Sequence, residues 1–253
     1  MHSLCNVLNQ AASYVHTWLN KQPSAKEESL TDWMLFDISE KSSKIRYRLF
    51  SRHVEARTTG ADWEWWFISN NQSLRLRVQA KKAQGSKDLY SEIARTNRYG
   101  LQIDKLLLDA KKQNAIPLYA FFSSENGPTL CGGQTSTEGV YLASATRVYS
   151  DFIAVAKSKV VAKDVLAISK PLSCIACCPL CHHGQLPLEY FKNYFPEEFM
   201  QSDHMNEPVG IHNQIPRYVQ ALLSSDLVGS EDIEESFEIP TDFKALLVVD
   251  LRS

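Results

Sequence analysis

The sequence lacks a continuous hydrophobic run long enough to cross a membrane. No stretch of about 18 uncharged apolar residues, the usual minimum for a transmembrane helix, occurs in the 253 residues. Residues 1–20 also lack the basic start and the small-residue cleavage site of a secretory signal. Their apolar residues instead repeat at helical spacing, which predicts an amphipathic helix. We therefore expect a cytoplasmic protein that does not associate with a membrane.

An excess of charge of either sign is also missing. The formal net charge is -2, with 44% hydrophobic and 22% charged residues. A nearly neutral chain has no general attraction for nucleic acid or anionic lipid, so any phosphate binding must come from a local patch. The composition is that of an ordinary globular protein, with enough apolar residues for one substantial core or two small ones.

The cysteines lack the spacing of a disulfide framework. Four of the six lie within eight residues, at Cys174, Cys177, Cys178 and Cys181, which is poor spacing for stapling bonds. Together with His183 they are typical of a zinc site, because Zn²⁺ favours thiolate and imidazole ligands at short spacings. No further Cys-x-x-Cys pair lies elsewhere in the sequence. Because tetrahedral sites usually take their two ligand pairs from separate loops, the sequence favours small buried thiols in a reducing compartment, with a zinc site as the alternative.

Alternating helical and strand-like segments predict a layered domain of the α/β or α+β class. Ser24 followed by Glu27 fits a helix-capping box. Strands are predicted at residues 45–55, 61–68, 74–81, 116–122 and 243–251, and helices at 101–113 and 141–156. We expect a mixed sheet flanked by helices, with a core over residues 1–160 and a C-terminal elaboration over residues 161–253.

One predicted hairpin collects polar residues on one face. If its turn centres on residues 70–71, antiparallel pairing places Asp62 opposite Gln79. The two-residue period of a strand then puts Lys81 on the same face. The other face receives an apolar layer made of Trp63, Trp65, Phe67, Leu76, Val78 and Ala80.

This polar face has the groups that metal-dependent phosphoryl chemistry requires. Mg²⁺ prefers oxygen ligands, and Asp62, the Gln79 side-chain oxygen and the backbone carbonyl of Ala80 are the candidates. Lys81 is the candidate for orienting an attacking water or stabilising charge that develops on a phosphate.

Gly60-Ala61-Asp62, separated by sixteen intervening residues from Gln79-Ala80-Lys81, resembles the PD-(D/E)XK nuclease superfamily in its Mrr-like Gln-x-Lys form. Residues 55–82, with Gln102 in the next helix, also resemble an uncharacterised prokaryotic family of this superfamily. The resemblance implies a restriction-endonuclease-like fold and a glutamate from the preceding helix, Glu27 or Glu28, at the metal site. Ala61 replaces the proline that names the motif, and Gln79 replaces a carboxylate.

The resemblance implies a Mg²⁺- or Mn²⁺-dependent endonuclease in prokaryotic antiviral defence or restriction, with DNA as the leading substrate hypothesis and RNA as the alternative. The candidates for holding phosphates without reading sequence are Lys82, Lys87, Arg95 and Arg98. A second copy of the chain or a protein of a defence system is the expected protein partner.

Two alternatives compete with this interpretation. In the first, the polar face is a solvated sheet surface, with a Glu64–Arg77 cross-strand ion pair and Arg75 stacked on Trp66. In the second, the chain is an inactive nuclease-like interaction protein that uses its cysteine-containing half to bind a partner or Zn²⁺.

Overall fold

A computed structural model of the chain describes residues 3–50, 59–84, 88–97, 100–127, 137–157, 159–181, 184–200, 208–224 and 243–252. Its helices are α1 (Leu4–Lys21), α2 (Glu27–Lys41), α3 (Gln102–Lys112), α4 (Ala145–Val148), α5 (Ala162–Ala167), α6 (Cys174–Cys177), α7 (Leu188–Tyr194) and α8 (Arg217–Ser224). Its strands are β1 (Ile45–Leu49), β2 (Trp63–Ile68), β3 (Ser73–Lys82), β4 (Thr96–Asn97), β5 (Gly100–Leu101), β6 (Ile116–Phe122), β7 (Val140–Ser144), β8 (Lys170–Pro171), β9 (Ile211–His212) and β10 (Ala245–Asp250).

The fold is mixed α/β, as the sequence predicts. Within the described residues, eight strands form one sheet in the order β1-β10-β2-β3-β6-β7-β8, with β9 paired to β3. The β10–β2 and β3–β6 pairs are parallel and the other pairs of this sheet are antiparallel. The sheet is therefore mixed, and its central strands are β2, β3 and β6.

Helices cover both faces of the sheet. Apolar residues of α1, α2, α6 and α7 form the main core with one face of β2 and β3. On the other face, α3, α4 and α5 pack around Tyr119 and Phe121 of β6, and α8 packs around Trp66 and Val248. In the part of the chain that the structure describes, no helix combines the length and hydrophobicity needed to cross a membrane.

The predicted hairpin register is confirmed. Trp63 pairs with Val78 and Glu64 with Arg77, so one face of both strands is apolar and the other is polar. The ion pair of Glu64 and Arg77 forms at 3.1 Å, and the Arg75 guanidinium lies 5.2 Å from the ring centroid of Trp66. The interpretation of this face as solvated is wrong, because helices bury its charged residues.

Glu64 is the centre of a buried ionic cluster on this polar face. Its carboxylate lies 2.7 Å from Arg75 and 3.1 Å from Arg77, and it accepts hydrogen bonds from Trp66 and from Tyr218 of α8. Burial raises the pKa of the Glu64 carboxyl, but the two arginines outweigh burial and the pKa lies below its usual range. The cluster therefore holds a carboxylate, which ties α8 to the hairpin.

The prediction of a helix over residues 141–156 is wrong in its first part. Residues Val140–Ser144 form β7, which pairs with β6 and β8. All five are buried. A short, wholly apolar run shows neither a helical nor a strand period, so the pattern cannot tell a buried strand from a buried helix. Helical structure begins only at Ala145 and continues as a π-helix over Tyr149–Ile153.

Two predicted element boundaries also differ from the structure. Helix α2 begins at Glu27, with Lys26 at its N-cap position and no side-chain cap, so the capping box predicted at Ser24 is wrong. Strand β1 ends at Leu49, and residues 51–55 of the longer predicted strand lie outside the described residues. The predicted boundary near residue 160 stays a prediction, although β10 from the second part lies inside the sheet that the first part forms.

A disulfide joins Cys5 of α1 to Cys177 of α6, which are 172 positions apart. The sequence did not indicate this bond, because a single pair at such a separation has no spacing pattern.

The aromatic residues Tyr190, Phe191 and Phe195 are buried in the main core. These side chains therefore contribute to packing between α7 and the sheet.

The Glu64 cluster leads to a stability prediction. Replacing Glu64 by Gln leaves two buried arginines without their shared counter-charge, so we expect a loss of about 3–5 kcal/mol in the free energy of unfolding. The matched control is Glu189→Gln, which breaks the exposed 3.0 Å pair with Lys192 and should cost below about 1 kcal/mol. Urea denaturation of both variants measures the difference, and equal costs would contradict the central role of Glu64.

Candidate active site at the β2–β3 hairpin

The structure brings Asp62, Gln79 and Lys81 together on the polar face of the hairpin. Asp62 precedes β2 and its backbone N–H donates to the Val78 carbonyl at 2.9 Å, which extends the ladder by one residue. The exposed fractions of the three residues are 3% for Asp62, 1% for Gln79 and 4% for Lys81. Buried polar side chains need partners, and the trio finds them mainly within the site.

Gly60 sets the distance between Asp62 and the start of α3. Its φ is +67°, and a Cβ built there would lie 2.3 Å from the backbone oxygen of Gln102. A side chain at this position is excluded both by the positive φ and by the contact. The chain therefore passes directly over the first turn of α3, which brings Gln102 to the hairpin.

Both oxygens of the Asp62 carboxylate receive donors. Its Oδ2 accepts from the backbone N–H of Ala80 at 3.0 Å and from Nε2 of Gln79. Its Oδ1 lies 2.7 Å from Nζ of Lys244. The same Gln79 nitrogen donates to the Ala80 carbonyl at 2.9 Å. A positively polarised group thus already lies between two oxygens expected to be metal ligands.

Lys244 is a site residue that the sequence analysis missed. It directly precedes β10, and its backbone N–H donates to the Asp62 carbonyl at 2.8 Å. Burial lowers the pKa of the Lys244 ammonium, but the Asp62 carboxylate outweighs burial and the pKa lies above the usual lysine value. In the sequence, Lys244 is only a lysine at the start of a late apolar strand, and this position does not predict a contact with Asp62.

The trio opens into a polar cleft of about 440 Å³, a volume in the usual range for ligand sites. Five basic and four acidic side chains line it: Lys26, Lys81, Lys82, Lys244, Arg95, Glu27, Glu28, Asp62 and Glu92. The near balance of charge means that an anionic phosphate gains little attraction from the cleft unless positive charge is added.

Both candidate glutamates of α2 border this cleft. Glu27 is partly buried and Glu28 is exposed. Burial, and next the nearby Asp62 charge, raise the pKa of the Glu27 carboxyl to about 7. Of the two, Glu27 is therefore the glutamate whose pKa responds to the Asp62 charge.

Two of the four predicted phosphate-binding residues belong to the described part of the chain. Lys82 and Arg95 line the cleft. Nζ of Lys82 donates to the Pro23 carbonyl at 2.6 Å, and Arg95 pairs with exposed Glu92 at 3.5 Å. Lys87 and Arg98 lie outside the described residues.

The cysteine cluster has lost one predicted zinc ligand to the disulfide, because Cys177 is bonded to Cys5. Cys174 and Cys178 are buried in the main core, and His183 lies outside the described residues. Within the described ranges, no group of three or more His, Cys, Asp or Glu side chains is arranged to hold a metal ion.

The residues at the hairpin fit Mg²⁺ by their chemistry. The Asp62 carboxylate and the Ala80 carbonyl lie within hydrogen-bond distance of one shared donor, and burial, followed by the Asp62 charge, raises the pKa of Glu27. Oxygen ligands of this kind suit a hard cation. With two carboxylates, one amide and one carbonyl, such a site would contain only two His, Cys, Asp or Glu side chains, so it does not conflict with the lack of a larger cluster in the described residues.

The raised pKa of Glu27 leads to a pH prediction. Its folded value of about 7 exceeds the ordinary 4.5, so between these values the unfolded chain releases a proton that the folded chain retains. In EDTA we expect wild-type stability, relative to Glu27→Gln, to fall as pH rises from 4.5 to about 7. Melting temperatures of both proteins across this range measure the difference, and a constant difference would contradict the prediction.

The comparisons with known proteins place the chain in a family but assign no activity. No curated protein matches the sequence. One family model matches residues 4–247, which include every described helix and all strands except the end of β10. The chain therefore belongs to the family described as "Family of unknown function (DUF6615)".

Proposed function

We propose that the protein is a metal-dependent deoxyribonuclease of the PD-(D/E)XK type. The proposal rests on one observation: Asp62, Gln79 and Lys81 line the same polar cleft. The Asp62 carboxylate and the Ala80 carbonyl both accept from Nε2 of Gln79. If Asp62 served only as the ion-pair partner of Lys244, neither Gln79 nor Lys81 would be needed beside it. Phosphodiester hydrolysis uses oxygen ligands, a lysine and a polar cleft together.

The ligand set consists of oxygens from two strands and one helix. Asp62, the Gln79 side-chain oxygen and the Ala80 carbonyl would hold Mg²⁺ or Mn²⁺, with Glu27 as the outer carboxylate. The ion would neutralise phosphate charge and lower the pKa of an attacking water. It would also raise the positive charge of a cleft whose own side chains nearly balance.

Lys81 is the proposed catalytic lysine. It projects from the same face as Gln79 and lines the cleft, where an ammonium group stabilises charge that develops on a phosphate. Lys82 and Arg95 at the cleft border hold the sugar-phosphate backbone by charge, which positions DNA without reading its sequence. Glu28, in the first turn of α2, is exposed and has a lesser role.

DNA as the substrate implies a compartment and a biological role. A nuclease of this type works in the prokaryotic cytoplasm, where invading DNA is accessible. Antiviral defence or restriction is the role that follows by analogy with the superfamily. A second copy of the chain or another defence protein is the proposed partner, and the exposed side chains Leu108 and Met200 are candidates for such contacts.

A second candidate is an inactive nuclease-like interaction protein. It is favoured by one specific observation, the direct contact of Lys244 with Asp62 at 2.7 Å. An ammonium group at this position supplies in permanent form the positive charge that a divalent ion would bring. Isothermal titration with Mn²⁺ separates the candidates: binding that Asp62→Asn abolishes supports the nuclease, and its absence in the wild type supports the interaction protein.

The nuclease proposal predicts the effect of two substitutions. Asp62→Asn removes a charged ligand and Lys81→Met removes the catalytic ammonium. Each should lower the rate of plasmid cleavage in Mg²⁺ or Mn²⁺ by about 100-fold or more, the usual cost of losing a transition-state contact. The rate is measured by gel assay on supercoiled and linear DNA, with RNA of the same sequence as a comparison.

The matched controls are Asp164→Asn and Lys192→Met. Both remove exposed side chains outside the cleft, each from a surface ion pair. They should cleave at the wild-type rate. Equal cleavage by all five proteins would show that the activity lies elsewhere, and no cleavage by the wild type on any substrate would reject the proposal.

A further inference from the structure

A chain of side-chain hydrogen bonds links Lys81 to Asp62 through two glutamines. Nζ of Lys81 donates to Oε1 of Gln102 at 2.9 Å. Nε2 of Gln102 donates to Oε1 of Gln79 at 2.6 Å. Nε2 of Gln79 then donates to Oδ2 of Asp62 and, at 2.9 Å, to the Ala80 carbonyl. Gln102 is the only member of this chain that belongs to α3 rather than the hairpin.

The direction of this chain is set by its two ends. A lysine ammonium has three donors and no acceptor, whereas a carboxylate and a carbonyl only accept. Gln102 must therefore turn its oxygen toward Lys81, which leaves its nitrogen for Gln79. Gln79 must accept with its oxygen and present its nitrogen to Asp62 and Ala80. Turning either amide alone would bring two donors or two acceptors face to face.

This direction conflicts with a role of Gln79 as a metal ligand. A cation beside Asp62 needs the Gln79 oxygen, because an amide nitrogen has only donors to offer. Turning the Gln79 amide by half a rotation presents its nitrogen to Gln102. Gln102 must then turn its own oxygen toward Gln79, and its nitrogen faces the ammonium group of Lys81. The bond between Lys81 and Gln102 is lost.

From this linkage we infer that Gln102 is a positioning residue that couples the orientation of Gln79 to the release of Lys81. With the Gln79 nitrogen on Asp62, Lys81 is held in a buried position. With the Gln79 oxygen on Asp62, Lys81 is released into the cleft that it lines. The inference rests on the proposed metal site, and it makes the lysine available only when the ligands are in their binding orientation.

The test measures the reactivity of Lys81 rather than cleavage. The full-length protein is treated briefly with an amine-acetylating reagent in EDTA or in saturating Mg²⁺, and peptides are quantified by mass spectrometry. In the wild type, Mg²⁺ should raise acetylation of Lys81 by roughly fivefold, the population shift that loss of one side-chain hydrogen bond produces. Acetylation of exposed Lys192 is the internal reference and should not change.

Two variants of Gln102 separate the coupling from a structural role. Gln102→Met can neither accept from Lys81 nor donate to Gln79, so Lys81 should react at the raised rate in both buffers. Gln102→Glu still accepts from Lys81 but cannot donate to Gln79, so Lys81 should react at the low rate in both. If the Met variant does not fold, the isosteric Glu variant still tests the coupling. A response to Mg²⁺ like that of the wild type in the Glu variant would overturn it.

Mn²⁺ titration in parallel distinguishes failure of this inference from failure of the proposed function. If the wild type binds Mn²⁺ and Asp62→Asn does not, but Mg²⁺ leaves Lys81 acetylation unchanged, the coupling alone is wrong. If the wild type binds no Mn²⁺, both the metal site and the coupling are wrong. Binding lost in Asp62→Asn together with the metal-dependent acetylation pattern supports both.

Discussion

The pairing of Glu64 with Arg77 across β2 and β3 is the interaction on which the rest of the structure depends. A shift of β2 by one residue in this register would exchange the two faces of that strand. Glu64 would then enter the apolar core beside α1 and α2, and Trp63 and Trp65 would leave it. The same carboxylate also receives Tyr218 of α8, while Arg77 contacts Asp109 of α3 at 3.1 Å. The Glu64–Arg77 pair therefore orients the hairpin and connects it to α8 and α3, which pack on the same face of the sheet.

The candidate site takes its geometry from this cluster. Asp62 lies two residues before Glu64, and Gln79 lies two residues after Arg77, so the strand period carries both onto the same face. The charged groups next to the site are buried and paired, which gives them fixed positions. A preorganised arrangement of this kind is what electrostatic stabilisation of a transition state requires. Stability and the proposed chemistry thus draw on one row of polar residues.

The hairpin was predictable from the sequence because alternation and a polar turn define a register locally. Asp62, Gln79 and Lys81 could be placed on one face from these signals alone. The strand at Val140–Ser144 was not predictable, since a wholly buried run carries no period. The bond of Cys5 to Cys177 and the contact of Lys244 with Asp62 join positions far apart in the chain. Such pairs leave no trace in local spacing, and only the folded sheet brings them together.

The position of β10 in the sheet determines when, during synthesis, the sheet and the candidate site can be completed. This strand lies between β1 and β2, and Lys244 directly precedes it. Proteins are synthesised from the N-terminus, and early segments begin to fold during synthesis. Until the ribosome has added residues 244–250, β1 and β2 have no bridging strand and Asp62 has no lysine at its Oδ1. A nascent or truncated chain therefore lacks the finished site, and the proposed hydrolytic centre forms only as translation of this region ends.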